Sequence, residues 1–304
     1  YFKGVVNFNG YNIPAFEFER HLRYLKKRCN VISLSDMLAG RNWSGTKTNI
    51  VMTFDDGYEN NYSNAFRLLM RYELPATFAL ATSFVCQRDP LWNDIVEYAV
   101  TNSPKSYVRF QWDEDHNEWS LTNLAGRVQL YQWLMDQCHW MDQAGRGALL
   151  DMVIKELGVS DVPNVLLQDE DCRPLTREQI KEMVGSGLAN FASHSVNHCM
   201  LPRLDVRLRE DEFRESKHQI EVLTGLPCTT FTVPGGAYDS ETLEGAFRAG
   251  YECVLTSDLG LVIEGRQILN RNVLLREPGI HKFADTVHGP LSELIAIARQ
   301  ALPA

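Results

Sequence analysis

The sequence lacks several features that would assign it at once to a class of protein. It has no apolar run of about 18 residues, so it predicts no membrane-spanning helix. Lys and Arg number 30 against 39 Asp and Glu, and the resulting net charge of −9 argues against nucleic acid as a partner. No internal repeat or low-complexity segment interrupts the 304 residues. What is left is a globular chain long enough to bury a large core.

Paired cysteines are also missing. The seven cysteines are odd in number, and no two of them form a C-x-x-C pair. Because oxidising compartments select for paired cysteines, this pattern favours reduced thiols and a cytoplasmic location. The sequence starts at Tyr1 and not at Met, so a removed signal peptide stays open as the alternative.

Short apolar runs alternate with helical periodicity along most of the chain. This alternation is typical of βα units around a parallel sheet. The predicted strands lie at residues 4–9, 50–54, 76–81, 188–192, 229–233 and 253–256. The main predicted helices lie at residues 15–28, from 62 onwards, from 176 onwards, 205–224 and 240–250.

Residues from about 104 to about 174 break this rhythm. They are polar, carry four tryptophans and show two helical patterns, at residues 124–135 and 144–157. We interpret them as a helical subdomain inserted into one domain that spans residues 1–304. Clustered tryptophans form either the core of such a subdomain, which is the commoner case, or a sugar-stacking surface. The four are Trp112, Trp119, Trp133 and Trp140.

Two neighbouring carboxylates, Asp55 and Asp56, follow the predicted strand 50–54. The carboxyl ends of strands are where barrel enzymes keep their active sites. Adjacent side chains on an extended chain point in opposite directions, so one carboxylate could bind a metal while the other faces a reacting water. The structural alternative is an Asp-Gly turn that caps the next helix.

Two histidines, His194 and His198, follow the predicted strand 188–192. If this segment is helical, their spacing places both imidazoles on one face, as in other metal sites. Together with one aspartate they would leave an open coordination position, which is typical of a hydrolytic metal site. The remaining aspartate would then act as general base.

These segments carry a resemblance to a known family. T-F-D-D-G-Y at 53–58 and H-S-V-N-H at 194–198 resemble, in order, the first two motifs of the polysaccharide deacetylases, the NodB-homology domain of carbohydrate esterase family 4. Residues 229–239 resemble the third motif and 255–260 the fourth. Residues 268–273 resemble a Pro-Arg segment that some members carry near the fifth.

The resemblance implies an α/β fold, a distorted (β/α)7-type barrel, and an activity. That activity is hydrolysis of an N-acetyl group from an amino sugar or from a polysaccharide or lipopolysaccharide precursor. The expected partner is thus a carbohydrate or sugar-nucleotide substrate, with the oligomeric state open. The resemblance assigns metal binding to Asp56, His194 and His198, and the base role to Asp55. The ion would be one divalent metal, with Zn²⁺ expected and Ni²⁺, Co²⁺ or Fe²⁺ as alternatives.

The chain departs from the family pattern in its third motif. The family carries there an Arg that tethers the base, whereas this chain has Thr232 or Val233. Gly235 replaces the usual aromatic residue after the proline, which reshapes that wall of the pocket and makes an N-formyl sugar an alternative substrate. A non-catalytic carbohydrate-binding protein on the same fold is a further alternative.

The fifth motif also departs, because residues 269–271 lack the histidine that protonates the leaving amine in the family. His281 and His288 are the spare histidines, although a satisfied core or surface role is commoner for each. Arg271 could bind a substrate carboxylate or phosphate, or form a structural ion pair. The candidate substrate-binding residues are Asn9, Tyr58, Pro234, Gly235, Gly236 and Arg271.

Overall fold

The computed structural model describes residues 13–112, 115–139, 141–258, 260, 267–272, 274 and 280–288. The predicted first strand and Asn9 lie outside these residues. The helices are α1 (Ala15–Arg28), α2 (Leu34–Leu38), α3 (Arg67–Tyr72), α4 (Trp92–Asn102), α5 (Leu124–His139), α6 (Gln143–Leu157), α7 (Val162–Gln168), α8 (Arg177–Gly185), α9 (Val206–Thr224), α10 (Ser240–Arg248) and α11 (Ile280–His288). The strands are β1 (Asn30–Val31), β2 (Asn49–Ile50), β3 (Thr53–Phe54), β4 (Ala76–Leu80), β5 (Tyr107–Trp112), β6 (Asp115–Ser120), β7 (Ala189–Ser193), β8 (Thr230–Thr232), β9 (Cys253–Leu255) and β10 (Ile268–Leu269).

Within the described residues, six strands form one curled parallel sheet, a half-barrel, in the order β10-β9-β8-β7-β4-β3. Helices follow most of these strands, so the chain steps along the sheet in βα units. This confirms the predicted α/β barrel-type fold. Because all six strands run in one direction, the segments that follow β3, β7, β8 and β10 meet at one edge of the sheet.

The predicted strand at 50–54 is split in two. β2 pairs with β1 at Val31↔Ile50, whereas β3 pairs with β4 at Phe54↔Phe78. The chain therefore changes neighbours between the two segments, and the ladder is interrupted at the change. Helix starts follow the sequence more closely: α1 covers the predicted residues 15–28, and α8 begins with the predicted capping box at Thr176.

The main core lies between the sheet and its helices. β4 is buried at every position, as expected for a strand covered on both faces. The rings of Phe54 and Phe78 stack at 5.1 Å, and Phe213 of α9 meets Phe231 of β8 edge-on at 4.8 Å. These contacts fix the sheet edge that carries the candidate site.

A second core lies between β4 and β7 in the chain and begins at Trp92 of α4. The two helical patterns predicted here are α5 and α6. The antiparallel hairpin β5–β6 was not predicted, although β5 alternates buried and exposed side chains, with Val108 and Phe110 buried. The ring centroids of Trp119 and Trp133 lie 4.8 Å apart, and both rings pack against this core. Trp140 lies outside the described residues.

All seven cysteines are free thiols. Among the helices that the structure describes, none has the length and apolar character needed to cross a membrane.

Candidate metal centre

The two aspartates occupy a left-handed turn at the end of β3. Asp56 has φ +74°, and Gly57 follows with φ +98° at a point where a Cβ atom would lie 2.7 Å from Val85. The expectation that the two carboxylates point in opposite directions is wrong, because the chain is not extended here. Both approach His194 Nε2, with Asp55 Oδ2 at 4.0 Å and Asp56 Oδ1 at 3.5 Å.

The two histidines lie on a loop and not on a helix. β7 ends just before His194, and the backbone then enters the left-handed region at Ser195 (φ +64°) and at His198 (φ +48°). This path brings the two ring centroids to 4.9 Å. The two histidines were predicted to lie together, and they do. A helix was expected to bring them together, whereas a loop does so.

A buried carboxylate on α9 holds this loop. Glu212 accepts hydrogen bonds from the backbone N–H groups of Val196 (2.7 Å) and Asn197 (3.0 Å) and from the Asn197 amide (2.6 Å). Left-handed backbone at residues with side chains costs free energy and persists only where its surroundings enforce it. Glu212 therefore stabilises the conformation that points both histidines at Asp56.

Each imidazole presents Nε2 to the centre. His194 Nδ1 lies 2.9 Å from the Thr232 carbonyl oxygen, and since a carbonyl only accepts, Nδ1 carries the proton and Nε2 the lone pair. His198 Nε2 lies 3.3 Å from Asp56 Oδ1. β8 thus supplies the outer contact that orients the first histidine.

The donor set fits a divalent cation. One atom from each of Asp56, His194 and His198 can be chosen so that all three lie within 4.8 Å of one another. Ligand atoms in a tetrahedral zinc site lie about 3.4 Å apart, close to the 3.5 Å and 3.3 Å distances from Asp56 Oδ1 to the two Nε2 atoms. Asp56 Oδ1 is buried and accepts no hydrogen bond from the described residues, as expected of an oxygen that ligates an ion.

The electrostatics separate the two aspartates. Burial tends to raise the pKa of Asp55, but the charge of Arg271, helped by His194, outweighs it and holds this pKa below its ordinary value. Burial, opposed by His194 and reinforced by the Asp55 charge, raises the pKa of Asp56 to about 6. Burial lowers the pKa of His194, and burial together with Arg146 lowers that of His198 to about 4. Both imidazoles are therefore neutral at pH 7, as metal ligands must be.

Arg271 holds Asp55, the aspartate outside the three-residue donor set. Its Nη1 donates to Asp55 Oδ1 at 2.7 Å and to Thr53 Oγ1 at 3.2 Å, while Nε donates to the Thr256 carbonyl at 2.9 Å. Arg271, from the segment after β10, thus places a guanidinium beside Asp55. The ion-pair interpretation of Arg271 is the one seen in the structure.

Tyr58 and the glycines after β8 have different surroundings. The Tyr58 hydroxyl donates to Asp94 Oδ2 at 2.8 Å, so its polar atom is used within the protein. Pro234, Gly235 and Gly236 form a short turn just beyond β8. The Met200 side chain covers Gly235, and a Cβ atom there would lie 2.3 Å from the Met200 methyl group. Met200 therefore fills the space beside Gly235.

We expect Gly235→Ala to destabilise the fold by more than about 1 kcal/mol, because alanine is strained at its φ of +58° and must also displace Met200. Gly187→Ala is the matched control, since Gly187 has φ +71° but no atom within 4 Å of the added Cβ. Urea unfolding midpoints measure both. Equal losses for the two variants would show that Met200 does not fill this space tightly.

The spare histidines do not reach the centre in the described structure. His288 Nδ1 bonds Thr48 Oγ1 at 2.9 Å, and its Nε2 lies 3.7 Å from Cys29 Sγ. Thr48 lies seven residues of largely extended chain before Asp55, a span of about 20 Å. His281 is exposed at the start of α11, and no printed contact among the described residues joins it to the aspartates.

Glu212 is a functional candidate that the sequence analysis missed. The buried stripe of α9 includes Arg209, Glu212 and Ser216 beside Phe213 and Ile220. Charged residues at core positions of a helix are costly unless they are paired. Polar residues at positions of α9 where the helical spacing calls for apolar ones could therefore have pointed to Glu212.

Comparison with known proteins identifies the family. The family model described as polysaccharide deacetylase matches residues 44–117 and 153–254 and leaves out residues 118–152, which hold α5 and most of α6. The chain belongs to the polysaccharide deacetylase family. The matched segments contain the two aspartates and the two histidines of the centre.

Individual relatives are distant in sequence. YxkH of Bacillus subtilis (strain 168), a protein assigned to the polysaccharide deacetylases, is 20% identical over 255 residues, and the match spans 83% of this chain but 61% of YxkH. The deacetylase PplD of Streptococcus pyogenes, solved in complex with acetate, has a TM-score of 0.57 at 18% identity and covers 90% of this chain and 87% of its own. IcaB of Ammonifex degensii has a TM-score of 0.57 at 18% identity, covering 94% and 92%. These structures share the fold.

Proposed function

We propose that the chain is a metal-dependent hydrolase that removes an N-acetyl group from an amino sugar, either in a polysaccharide or in a lipopolysaccharide or sugar-nucleotide precursor. One observation carries the proposal: Asp55 lies beside the three ligand atoms of Asp56, His194 and His198, but is tethered separately by Arg271. Family membership supplies the reaction class.

The residues of the centre have distinct tasks in this reaction. A divalent ion held by Asp56, His194 and His198 would supply Lewis acidity to the amide carbonyl and to the attacking water. Asp55 takes the proton of that water, and Arg271 keeps Asp55 ionised and oriented until it does so. The protonated Asp55 then returns its proton to the leaving amine, since a carboxyl group with a lowered pKa is a ready donor.

The proposal is tested with a panel of N-acetylated and N-formylated glycans and sugar nucleotides, with acetate and formate as the products measured. Zinc-loaded protein should release acetate from at least one N-acetyl sugar, and Asp55→Asn should slow the release by about 10²–10⁴-fold. Formate without acetate would assign a deformylase. Binding of glycans without release of either acid would assign a non-catalytic carbohydrate-binding protein.

We expect the purified chain to retain one divalent ion per molecule after dialysis, and His194→Ala to retain almost none. The imidazole supplies one of only three protein ligands, so its loss removes a large share of the binding free energy. His218→Ala is the control, because His218 lies exposed on α9. Elemental analysis measures both variants. Full occupancy in His194→Ala would overturn the ligand assignment.

A further inference from the structure

The second histidine of the centre is held in an unfavourable backbone conformation. His198 has φ +48°, a value that residues with a side chain rarely adopt. Glu212 fixes the middle of the loop, at Val196 and Asn197, but its hydrogen bonds do not reach His198. A separate contact is therefore needed to hold the end of the loop.

Trp92 provides that contact. Its indole Nε1–H donates a hydrogen bond of 3.0 Å to the His198 carbonyl oxygen. Trp92 is buried at the start of α4, which belongs to the second core and not to the barrel. The second core thus bonds directly to the backbone of a metal-ligand candidate.

The junction of α5 and α6 encloses the Trp92 ring. His139 meets the ring edge-on at 5.3 Å, and the Arg146 guanidinium lies over it with its carbon 5.2 Å from the ring centroid. Gln143, one turn before Arg146, donates to the side chain of Asn197 at 3.1 Å. His139 and Arg146 therefore contact Trp92, and Gln143 contacts the histidine loop.

Arg146 is an unfavourable residue for stability alone. It is 3% exposed, and neither terminal nitrogen has a hydrogen-bond partner among the described residues. Burying a guanidinium whose terminal nitrogens make no hydrogen bond opposes folding, and replacing such a group with an apolar side chain of similar volume is often neutral or stabilising. Its stacking on Trp92 indicates a task other than stabilising the fold.

We propose that Trp92 and Arg146 are positioning residues for the metal centre: Arg146 fixes the indole, and the indole fixes the His198 backbone so that Nε2 faces Asp56. This inference rests on the proposed function in one respect, that His198 is a metal ligand. It assigns the preorganisation of the barrel's metal site to the second core. Outer contacts of this kind typically change metal affinity about 10- to 100-fold.

Trp92→Phe tests the hydrogen bond, because phenylalanine keeps an aromatic ring under Arg146 but lacks the N–H donor; it also loses ring volume, for which the Trp133→Phe control is matched. The dissociation constant for Zn²⁺, measured by competition with a chromophoric chelator, should rise about 10- to 100-fold. Trp133→Phe is the matched control, since Trp133 packs on the same second core against Trp119 and should leave zinc affinity unchanged.

Arg146→Met separates positioning from stability. Zinc affinity should fall, as in Trp92→Phe, because loss of the stacked guanidinium frees the indole, and this loss should outweigh the removal of a positive charge that acts on His198. The melting temperature of the metal-free protein should stay unchanged or rise. A lower melting temperature with unchanged zinc affinity would show a structural role and overturn the inference. Unchanged affinity in Trp92→Phe would overturn it as well. If the wild-type chain binds no zinc, the proposed metal centre fails and this inference fails with it.

Discussion

Asp55→Asn should keep the metal and lose the reaction. Asp55 contributes no ligand atom to the group formed by Asp56, His194 and His198, so its amide should leave metal content at one ion per chain. An amide cannot accept the proton of the attacking water, and loss of a general base typically costs about 10²–10⁴-fold in rate. Steady-state acetate release and elemental analysis on the same preparation measure the two effects.

Asp56→Asn is the contrasting variant. Asp56 Oδ1 lies 3.5 Å and 3.3 Å from the two imidazole Nε2 atoms and is the anionic member of the ligand set. Its amide should lose metal and activity together. Equal metal loss in the two aspartate variants, or full activity in Asp55→Asn, would show that the roles are assigned wrongly.

Arg271→Gln should move the acid limb of the pH–rate profile to higher pH. The charge of Arg271 holds the pKa of Asp55 below its ordinary value against the opposing effect of burial. Without that charge burial dominates, so the pKa rises, by about 1–3 units for the loss of one adjacent opposite charge. Since Asp55 must be ionised to act as the base, the pH below which activity is lost should rise by the same amount as its pKa. Profiles of kcat/KM for the variant and the wild type measure the shift.

Arg271→Lys separates charge from geometry at the same position. The ammonium group keeps the positive charge, so the acid limb should stay near its wild-type position. It cannot reproduce the guanidinium bonds to Thr256, Thr53 and Asp55, so kcat should fall through misplacement of the base. An unshifted limb in Arg271→Gln would contradict a role for Arg271 in the ionisation of Asp55.

Local patterns in the sequence predicted much of the fold. The apolar periodicity at 15–28 gives α1, the capping box at Thr176 gives α8, and the run at 76–81 gives β4 within one residue. The hairpin β5–β6 lay inside a segment expected to be helical. The alternation of apolar and polar residues in β5 is short, and the helical patterns on either side of it dominate this segment.

The residues of the candidate site could be predicted from the sequence, but the backbone conformation that positions them could not. Asp55, Asp56, His194 and His198 are recognisable because they form compact motifs at strand ends. The backbone turns that aim them are not, since the left-handed conformations at Asp56 and His198 depend on tertiary contacts. No local sequence pattern predicts a left-handed backbone conformation at such residues, whereas glycine would have indicated one.

Residues that support the site come from distant parts of the chain. Arg271 reaches Asp55 across 216 residues, and Trp92 reaches His198 across 106. Neither pairing has a local signal in one sequence. The contact between Arg271 and Asp55 depends on how the chain folds and not on any short segment of it.

Anomalous diffraction from a crystal of the zinc-loaded protein tests the central claim most directly. We expect one zinc peak per chain, at about 2.0–2.2 Å from Asp56 Oδ1, His194 Nε2 and His198 Nε2. Asp55 should lie outside the coordination sphere and remain paired with Arg271. A peak that is bound by Asp55 in place of Asp56, or that lies away from the two histidines, would contradict it.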